Sequence, residues 1–97
     1  MGRIGVFLGP KEMGKGYGTE ALHIMVDYLF LTTGLMRISE ITDVRNIAAQ
    51  KSLQKAGFKK EGTIRKARYY RGEWADYYIY SILREEWKEP KILTRTA

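Results

Sequence analysis

The stretch GPKEMGKGYGTEAL, residues 9–22, sets glycines at three alternate positions, Gly14, Gly16 and Gly18. Gly9-Pro10 breaks regular structure before it. Upstream, Arg3–Leu8 alternates, with Ile4, Val6 and Leu8 on one face and Gly5 and Phe7 on the other, the pattern of a half-buried strand. Downstream, Ala21, Leu22, Met25, Val26, Leu29 and Phe30 recur at three- and four-residue steps. That stripe predicts a helix from Thr19 to about Thr33, with Gly34 as its stop. The glycines therefore lie between a strand and a helix, where free backbone N–H groups and the positive end of a helix dipole converge. An anion, above all a pyrophosphate, binds there without any side chain. Glycine lets it approach the backbone and permits positive φ. A tight turn alone would need one glycine; three alternating ones followed by Thr19 point to an anion site.

Beyond Gly34, Met36–Val44 predicts a second strand, though Ile38, Ile41 and Val44 alternate imperfectly. Asn46 is a helix N-cap candidate. The helix it would open, from Ile47 to about Ala56, offers Ile47, Ala49, Leu53 and Ala56 for burial, with Gly57 at the left-handed position after it. Glu61–Arg71 and Trp74–Leu83 read as two strands joined at Gly72, a hairpin rich in aromatics: Tyr69, Tyr70, Trp74, Tyr77, Tyr78 and Tyr80. A short helical turn, Arg84–Glu89, stops at Pro90. The order is β-α-β-α-β-β, an α+β class. The two crossovers favour parallel pairing and the last turn antiparallel pairing.

A chain of 97 residues is one small domain with a thin core. With 44% apolar and 29% charged residues it has a globular composition. It has no cysteine, which excludes disulfides and thiolate metal sites, and a single histidine, His23, is too little for a histidine-built metal centre. No apolar run approaches the ~18 residues of a membrane span, and MGRIGVFLGP is too short and Gly-rich for a signal peptide. The reading is a cytoplasmic protein without metal or membrane. Its net charge of +6 favours an anionic partner, whether nucleic acid, an acidic membrane or a phosphate-bearing cofactor, beside the plain role of solubility.

Two familiar phosphate motifs fit the glycine run poorly. A dinucleotide fingerprint needs G-x-G-x-x-G, and the third glycine comes one residue early. Gly9–Lys15 has the G-x-x-x-x-G-K spacing of a nucleotide-hydrolase loop, but Gly16 replaces the Ser or Thr that would hold Mg²⁺. The spacing MGKGYGT instead resembles the acetyl-CoA loop, Arg/Gln-x-x-Gly-x-Gly/Ala, of the GNAT superfamily of N-acetyltransferases. Gly16 and Gly18 take its two small positions and Met13 stands where Arg or Gln is usual. RNIAAQKSLQKAGF, residues 45–58, is similar to the family's Asn-containing helix ending in Lys-x-Gly-Phe. YYRGEWADYYIYSILREEW, residues 69–87, looks like the closing hairpin of the subset that acetylates ribosomal-protein N-termini and polyamines. The resemblance runs from Ile4 to Trp87.

The resemblance implies the C-terminal half of the acyl-CoA N-acyltransferase fold, a mixed sheet in which the strand before the loop splays from its parallel neighbour. Pantetheine would lie in the gap, pairing with the edge Val6, Phe7 and Leu8. The backbone of Gly14, Lys15, Gly16, Tyr17, Gly18 and Thr19 would hold the pyrophosphate, Lys15 adding charge. Asn46 would contact acetyl-CoA from the second helix. The implied chemistry is attack of a neutral amine on the thioester, which needs loss of a proton from the ammonium, a donor for the oxyanion and an acid for the thiolate. The family's acid positions carry Leu53 and Ala49, neither of which can donate a proton, so the catalytic acid is unassigned. Ser52 would face elsewhere, water or Tyr78 could substitute, and Asp76 is expected to fix the hairpin.

By the same resemblance residues 1–89 form an acetyltransferase domain without the N-terminal half that shapes the amine site, and residues 90–97 a basic tail expected to fray. A truncated reading frame, an expression fragment and a cofactor-binding remnant each fit the start at Met1. The Arg3–Leu8 strand would be an unprotected edge, which predicts a homodimer or an exchanged-strand assembly. The acceptor stays open among a protein N-terminus, a polyamine and a small amine. The competing readings are an inactive CoA-binding or interaction remnant, and a small nucleic-acid-binding module that sets Tyr69, Tyr70 and Trp74 beside Arg65, Lys66, Arg68 and Arg71. Against the latter, aromatic hairpins more commonly pack on a core or a dimer partner, so a nucleic-acid partner is not expected.

Overall fold

In a computed structural model, the structure describes residues 5–8 and 18–87. The elements follow in chain order as β1 (Gly5–Phe7), α1 (Thr19–Thr32), β2 (Arg37–Asp43), α2 (Ile47–Lys55), β3 (Lys59–Tyr70), β4 (Glu73–Leu83) and α3 (Arg84–Trp87). They form one four-stranded mixed sheet in the order β1-β2-β4-β3. β1 runs parallel to β2, while β4 is antiparallel to both β2 and β3.

The first crossover pairs its strands in parallel as expected; the second does not. β2 and β3 point the same way, but β4 lies between them and pairs with the whole of β2, from Arg37↔Leu83 to Asp43↔Tyr77. The reason is burial. β4 is buried on both faces, by Ala75 and Tyr77 on one and Tyr80 and Ile82 on the other. β3 carries Lys59, Lys60, Arg65, Lys66 and Arg68 and is exposed along most of its length. Such cationic strands suit a sheet edge, where they discourage pairing with another chain.

Both helices pack on the same face of the sheet. Leu22, Val26 and Phe30 of α1 and Leu53 of α2 meet Ile38, Tyr80 and Ile82 of the strands, with Phe58 and Trp87 closing the cluster. Val6 and Leu8 add to it from the β1 side, and Phe7 points to the opposite face at 57% exposed, as the alternation requires. The α1 stripe is narrower than the sequence suggests, since Ala21 is exposed and Met25 and Leu29 are half-buried. Asp27 lies in it instead, fully buried, where its carboxylate accepts the Trp87 indole N–H at 2.8 Å.

Gly34 is not the stop of α1. The helix ends at Thr33, whose extended backbone (φ −134°, ψ 170°) leaves the helical region. The Thr32 and Thr33 hydroxyls donate to the Tyr28 and Leu29 carbonyls, and the Arg84 guanidinium donates to the Thr33 and Leu35 carbonyls. Helix α2 ends as expected, at Gly57 with φ +98°. Its burial differs at one position: Ile47 is 54% exposed, and Ala49, Leu53 and Ala56 carry the packing. The hairpin turns at Arg71 and Gly72, both with positive φ, a type I′ geometry that matches strand twist. A bulge between Ile64 and Arg68 holds Lys66 at φ 51°, and the Asp76 carboxylate accepts its backbone N–H at 2.8 Å. Asp76 therefore does fix the hairpin. Helix α3 is described to Trp87, and the expected stop at Pro90 falls outside the described residues.

Candidate active site

The site is built where β1 and β2, the parallel pair, feed α1 and α2. β1 is a sheet edge, and its pairing with β2 ends with the Leu8 N–H donating to the Ser39 carbonyl at 2.8 Å. The Leu8 amide is therefore engaged, and by the alternation of a parallel ladder the Phe7 N–H faces outward. Past Ser39, β2 continues through Asp43 with no β1 residue paired to it among the described residues. Ligands of parallel sheets bind in the crevice outside the carboxyl ends of the strands.

Gly14, Lys15, Gly16 and Tyr17 lie outside the described residues. Gly18 is the N-cap of α1, with φ −70° and ψ 168°, and Thr19 is the first helical residue. Among the described residues no side chain caps this helix, and a Cβ on Gly18 would meet nothing within 4 Å. The first-turn N–H groups thus have no side-chain acceptor from the cap position.

On the β2 side, the turn from Asp43 to Asn46 is held from several directions. Asp43 accepts the Arg45 backbone N–H at 2.8 Å and the Arg45 guanidinium through both carboxylate oxygens, at 3.0 and 2.8 Å. Arg45 also reaches Glu73 at 3.0 Å, tying the turn to the hairpin. Gln50 Nε2 donates to the Val44 carbonyl at 2.9 Å, and the Val44 N–H donates to the Asp76 carbonyl at 3.1 Å. Asn46 caps α2 as expected, its Oδ1 accepting the Ala49 N–H at 3.1 Å. Its Nδ2 is buried and makes no hydrogen bond, and the residue is only 8% exposed.

The Arg45 guanidinium holds the buried Asp43 carboxyl below the usual carboxylate range, by hydrogen bonding first and by charge as well, against the opposing cost of burial. A carboxyl with a depressed folded pKa stabilises the fold fully above its unfolded value of about 3.9, and the contribution is lost as pH falls through the folded value. Asp43→Asn is expected to cost about 2 kcal/mol at neutral pH, the scale of hydrogen bonds to a charged group. In urea titrations the gap between wild type and variant should narrow below about pH 4. A gap that persists unchanged at pH 2 would mean that the carboxylate's charge is not what holds the turn.

The proton-donor positions stay empty. Ala49 and Leu53 are buried in the packing of α2. Ser52 is half-buried on the same helix. Tyr78 is the cross-strand neighbour of Thr42 at the carboxyl end of β2, with the Lys60 ammonium 3.9 Å from its ring centre. The hairpin aromatics divide. Tyr77 and Tyr80 are buried and Tyr78 packs against the core, but Tyr69, Tyr70 and Trp74 are exposed near the turn, Tyr69 and Trp74 edge-on to each other. Among the described residues no group of three or more His, Cys, Asp or Glu could hold a metal ion. No helix among them is long and apolar enough to cross a membrane.

A parallel strand pair feeding two helices on one sheet face, closed by an antiparallel hairpin, is the α+β architecture of the C-terminal half of an acyl-CoA N-acyltransferase. Residues 1–59 match the Acetyltransferase (GNAT) domain family, and the chain belongs to that family. The "Probable N-acetyltransferase YjcK" of Bacillus subtilis (strain 168) is 42% identical over 80 residues, 82% of this chain and 44% of that protein. The solved ribosomal-protein-S5-alanine acetyltransferase from Vibrio fischeri superposes with a TM-score of 0.66 at 32% identity, over 71% of this chain and 38% of that one. Spermidine/spermine N-acetyltransferase SpeG from Vibrio cholerae superposes with a TM-score of 0.70 at 25% identity, over 77% of this chain and 44% of that one. The chain spans about half the length of the curated relatives it matches.

Proposed function

We propose that this chain binds acetyl-CoA and serves transfer of its acetyl group to an amine. The observation that carries the reading is the buried Asn46 Nδ2, which makes no hydrogen bond, just beyond the carboxyl end of β2, together with an α1 N-terminus that no side chain caps among the described residues. An uncharged amide donor suits the pantetheine arm, and an open helix N-terminus behind a glycine loop suits the pyrophosphate. In this reading Gly14–Thr19 cradle the phosphates with Lys15 adding charge, Val6–Leu8 flank the arm, and Asn46 contacts it.

The reaction forms a C–N bond from the neutral amine to the thioester carbonyl carbon and breaks the C–S bond. The ammonium proton goes to solvent. The backbone of the β1 strand, where the Phe7 N–H faces outward, serves as oxyanion donor. The departing thiolate takes a proton from water or from Tyr78. The acceptor is a protein N-terminus, a polyamine or a small amine, and relatives of this chain include enzymes named for a ribosomal-protein alanine and for spermidine/spermine.

Calorimetry with acetyl-CoA, followed by thiol release with an alanine-terminated peptide, spermidine and a small amine, tests the reading. Binding with thiol release supports an enzyme; binding without release leaves a CoA-binding remnant. The exposed Tyr69, Tyr70 and Trp74 beside Arg71 favour nucleic-acid binding as the second reading, and tight, salt-dependent RNA binding without CoA affinity would replace the first with it.

The short β1 edge supports self-association through that strand. Light scattering is expected to give a dimer mass at micromolar concentration, and a clean monomer would remove this part of the proposal.

A further inference from the structure

Helix α1 has two apolar sides. Leu22, Val26 and Phe30 face the sheet and are buried. On the opposite side Ala21, Ile24, Tyr28 and Leu31 stand at steps of three, four and three residues, the spacing of a helix-packing seam. All four are exposed, Ile24 at 43%, Tyr28 at 57% and Leu31 at 44%. The outer face of a surface helix is ordinarily polar, so a straight apolar stripe there marks a contact. Over its 14 residues α1 contains no Lys or Arg, although the chain has 17 of them. Its acidic residues are Glu20, in the first turn, and Asp27, which is buried. Membrane-surface helices set Lys and Arg beside their apolar face, and nucleic acid needs cations; α1 supplies neither.

The stripe is symmetrical about Val26. Set antiparallel beside itself, it brings Ala21 of one copy against Leu31 of the other, and Ile24 against Tyr28. The ends thus pair small with large and the middle pairs branched with aromatic. A twofold contact must be self-complementary in this way. Self-contact here also brings no cations together, whereas β3, with its lysines and arginines, would repel its own copy. We propose that the outer face of α1 is a docking surface for a second copy of this chain, the two α1 helices pairing antiparallel about Val26. The stripe points away from the sheet, so the contact is distinct from pairing along the β1 edge. Because α1 is already folded on the sheet, pairing has no helix to order. A helix of 14 residues is about 21 Å long, and one such pair makes a small interface. The association is therefore reversible, with a dissociation constant on the order of 10 µM.

Sedimentation equilibrium of the wild type should show an average mass that rises between about 1 and 200 µM. Ile24→Glu and Tyr28→Lys each put a charge into the contact without touching the core. Each should abolish the rise, weakening the association by about 100-fold. Both positions are exposed, so circular dichroism and the thermal midpoint at low concentration should stay close to wild type. Mixing the two variants in equal amounts should bring the rise back. The introduced carboxylate of one copy then faces the introduced ammonium of the other across the Ile24–Tyr28 contact. A wild-type mass that stays constant overturns the proposal and leaves the stripe to a different protein. A rise that persists in both variants overturns it too, because association then runs through another surface, such as the β1 edge. A rise that both variants lose and mixing does not restore overturns the antiparallel pairing.

Discussion

Gly16→Asp is expected to lower acetyl-CoA affinity by about 100-fold against the wild type, read by calorimetry at fixed salt. In the sequence this residue takes the first small position of the glycine loop, two residues before the Gly18 cap of α1. A side chain there would keep phosphate oxygens from the backbone N–H groups that are to bind them. A carboxylate adds like charge: two unit charges at 4 Å repel by about 4 kcal/mol at an effective dielectric constant of 20. Screening by salt reduces this to about 2–3 kcal/mol, which corresponds to the stated loss. Higher salt should narrow the difference further. Circular dichroism and the urea midpoint should stay close to wild type if the loss is one of binding alone. Unchanged affinity would dismiss the loop as a pyrophosphate site.

Phe30→Ala should be the costliest single truncation of the core, at about 3–5 kcal/mol. Phe30 is 2% exposed, its ring centre lies 5.2 Å from that of Trp87, and the Arg84 guanidinium sits 5.0 Å from it. Truncation removes the packing partner of Trp87, whose indole is held in place by buried Asp27 and cannot follow freely into the cavity. Domains of this kind have about 5–15 kcal/mol in all, and a small one lies low in that range, so the variant should be partly unfolded near room temperature. Urea titration followed by tryptophan emission measures it, with buried Trp87 as the reporter that shifts most and exposed Trp74 as the one that shifts little. A loss below about 1 kcal/mol would mean that the surroundings collapse to fill the space.

Much of this architecture was legible because burial writes a period into the chain. Leu22, Val26 and Phe30 lie on one helical stripe, Val6 and Leu8 alternate with Phe7, and Gly72 sits between two strand patterns; each reads locally and each is found, though Arg71 belongs to the turn and not to the strand. The Asn46 cap was equally local. The position of β4 was not. Its insertion between β2 and β3 depends on which strand can be buried on both faces, a competition among segments far apart in the chain. Gly34 misled because the chain leaves the helix at Thr33 in an extended conformation, its carbonyl held by Arg84, so no left-handed residue follows. Asp27 and Thr42 were silent for another reason. A polar residue in a helix or strand looks like surface until the fold closes over it, and only coordinates show that Thr42 is buried without a partner. The exposed rings of Tyr69, Tyr70 and Trp74 could not be told in sequence from the buried ones of Tyr77 and Tyr80 on the same hairpin.

The strand that arrives last in sequence occupies an interior place in the sheet. Synthesised from the N-terminus, β1, β2 and β3 emerge before the segment that joins β2 to β3 exists. Until then β2 has only the short β1 to pair with, and β3 has no partner. Folding must therefore wait for an insertion whose pairs, such as Ile38 with Ile82, span nearly half the chain, and such non-local closure is slow. The nascent chain is left with unpaired strand edges during that wait, the condition under which aggregation competes with folding. It also makes the C-terminal end the least dispensable part of the domain: a chain stopped before β4 would lose an outer hairpin and, with it, the strand that makes one sheet of two fragments.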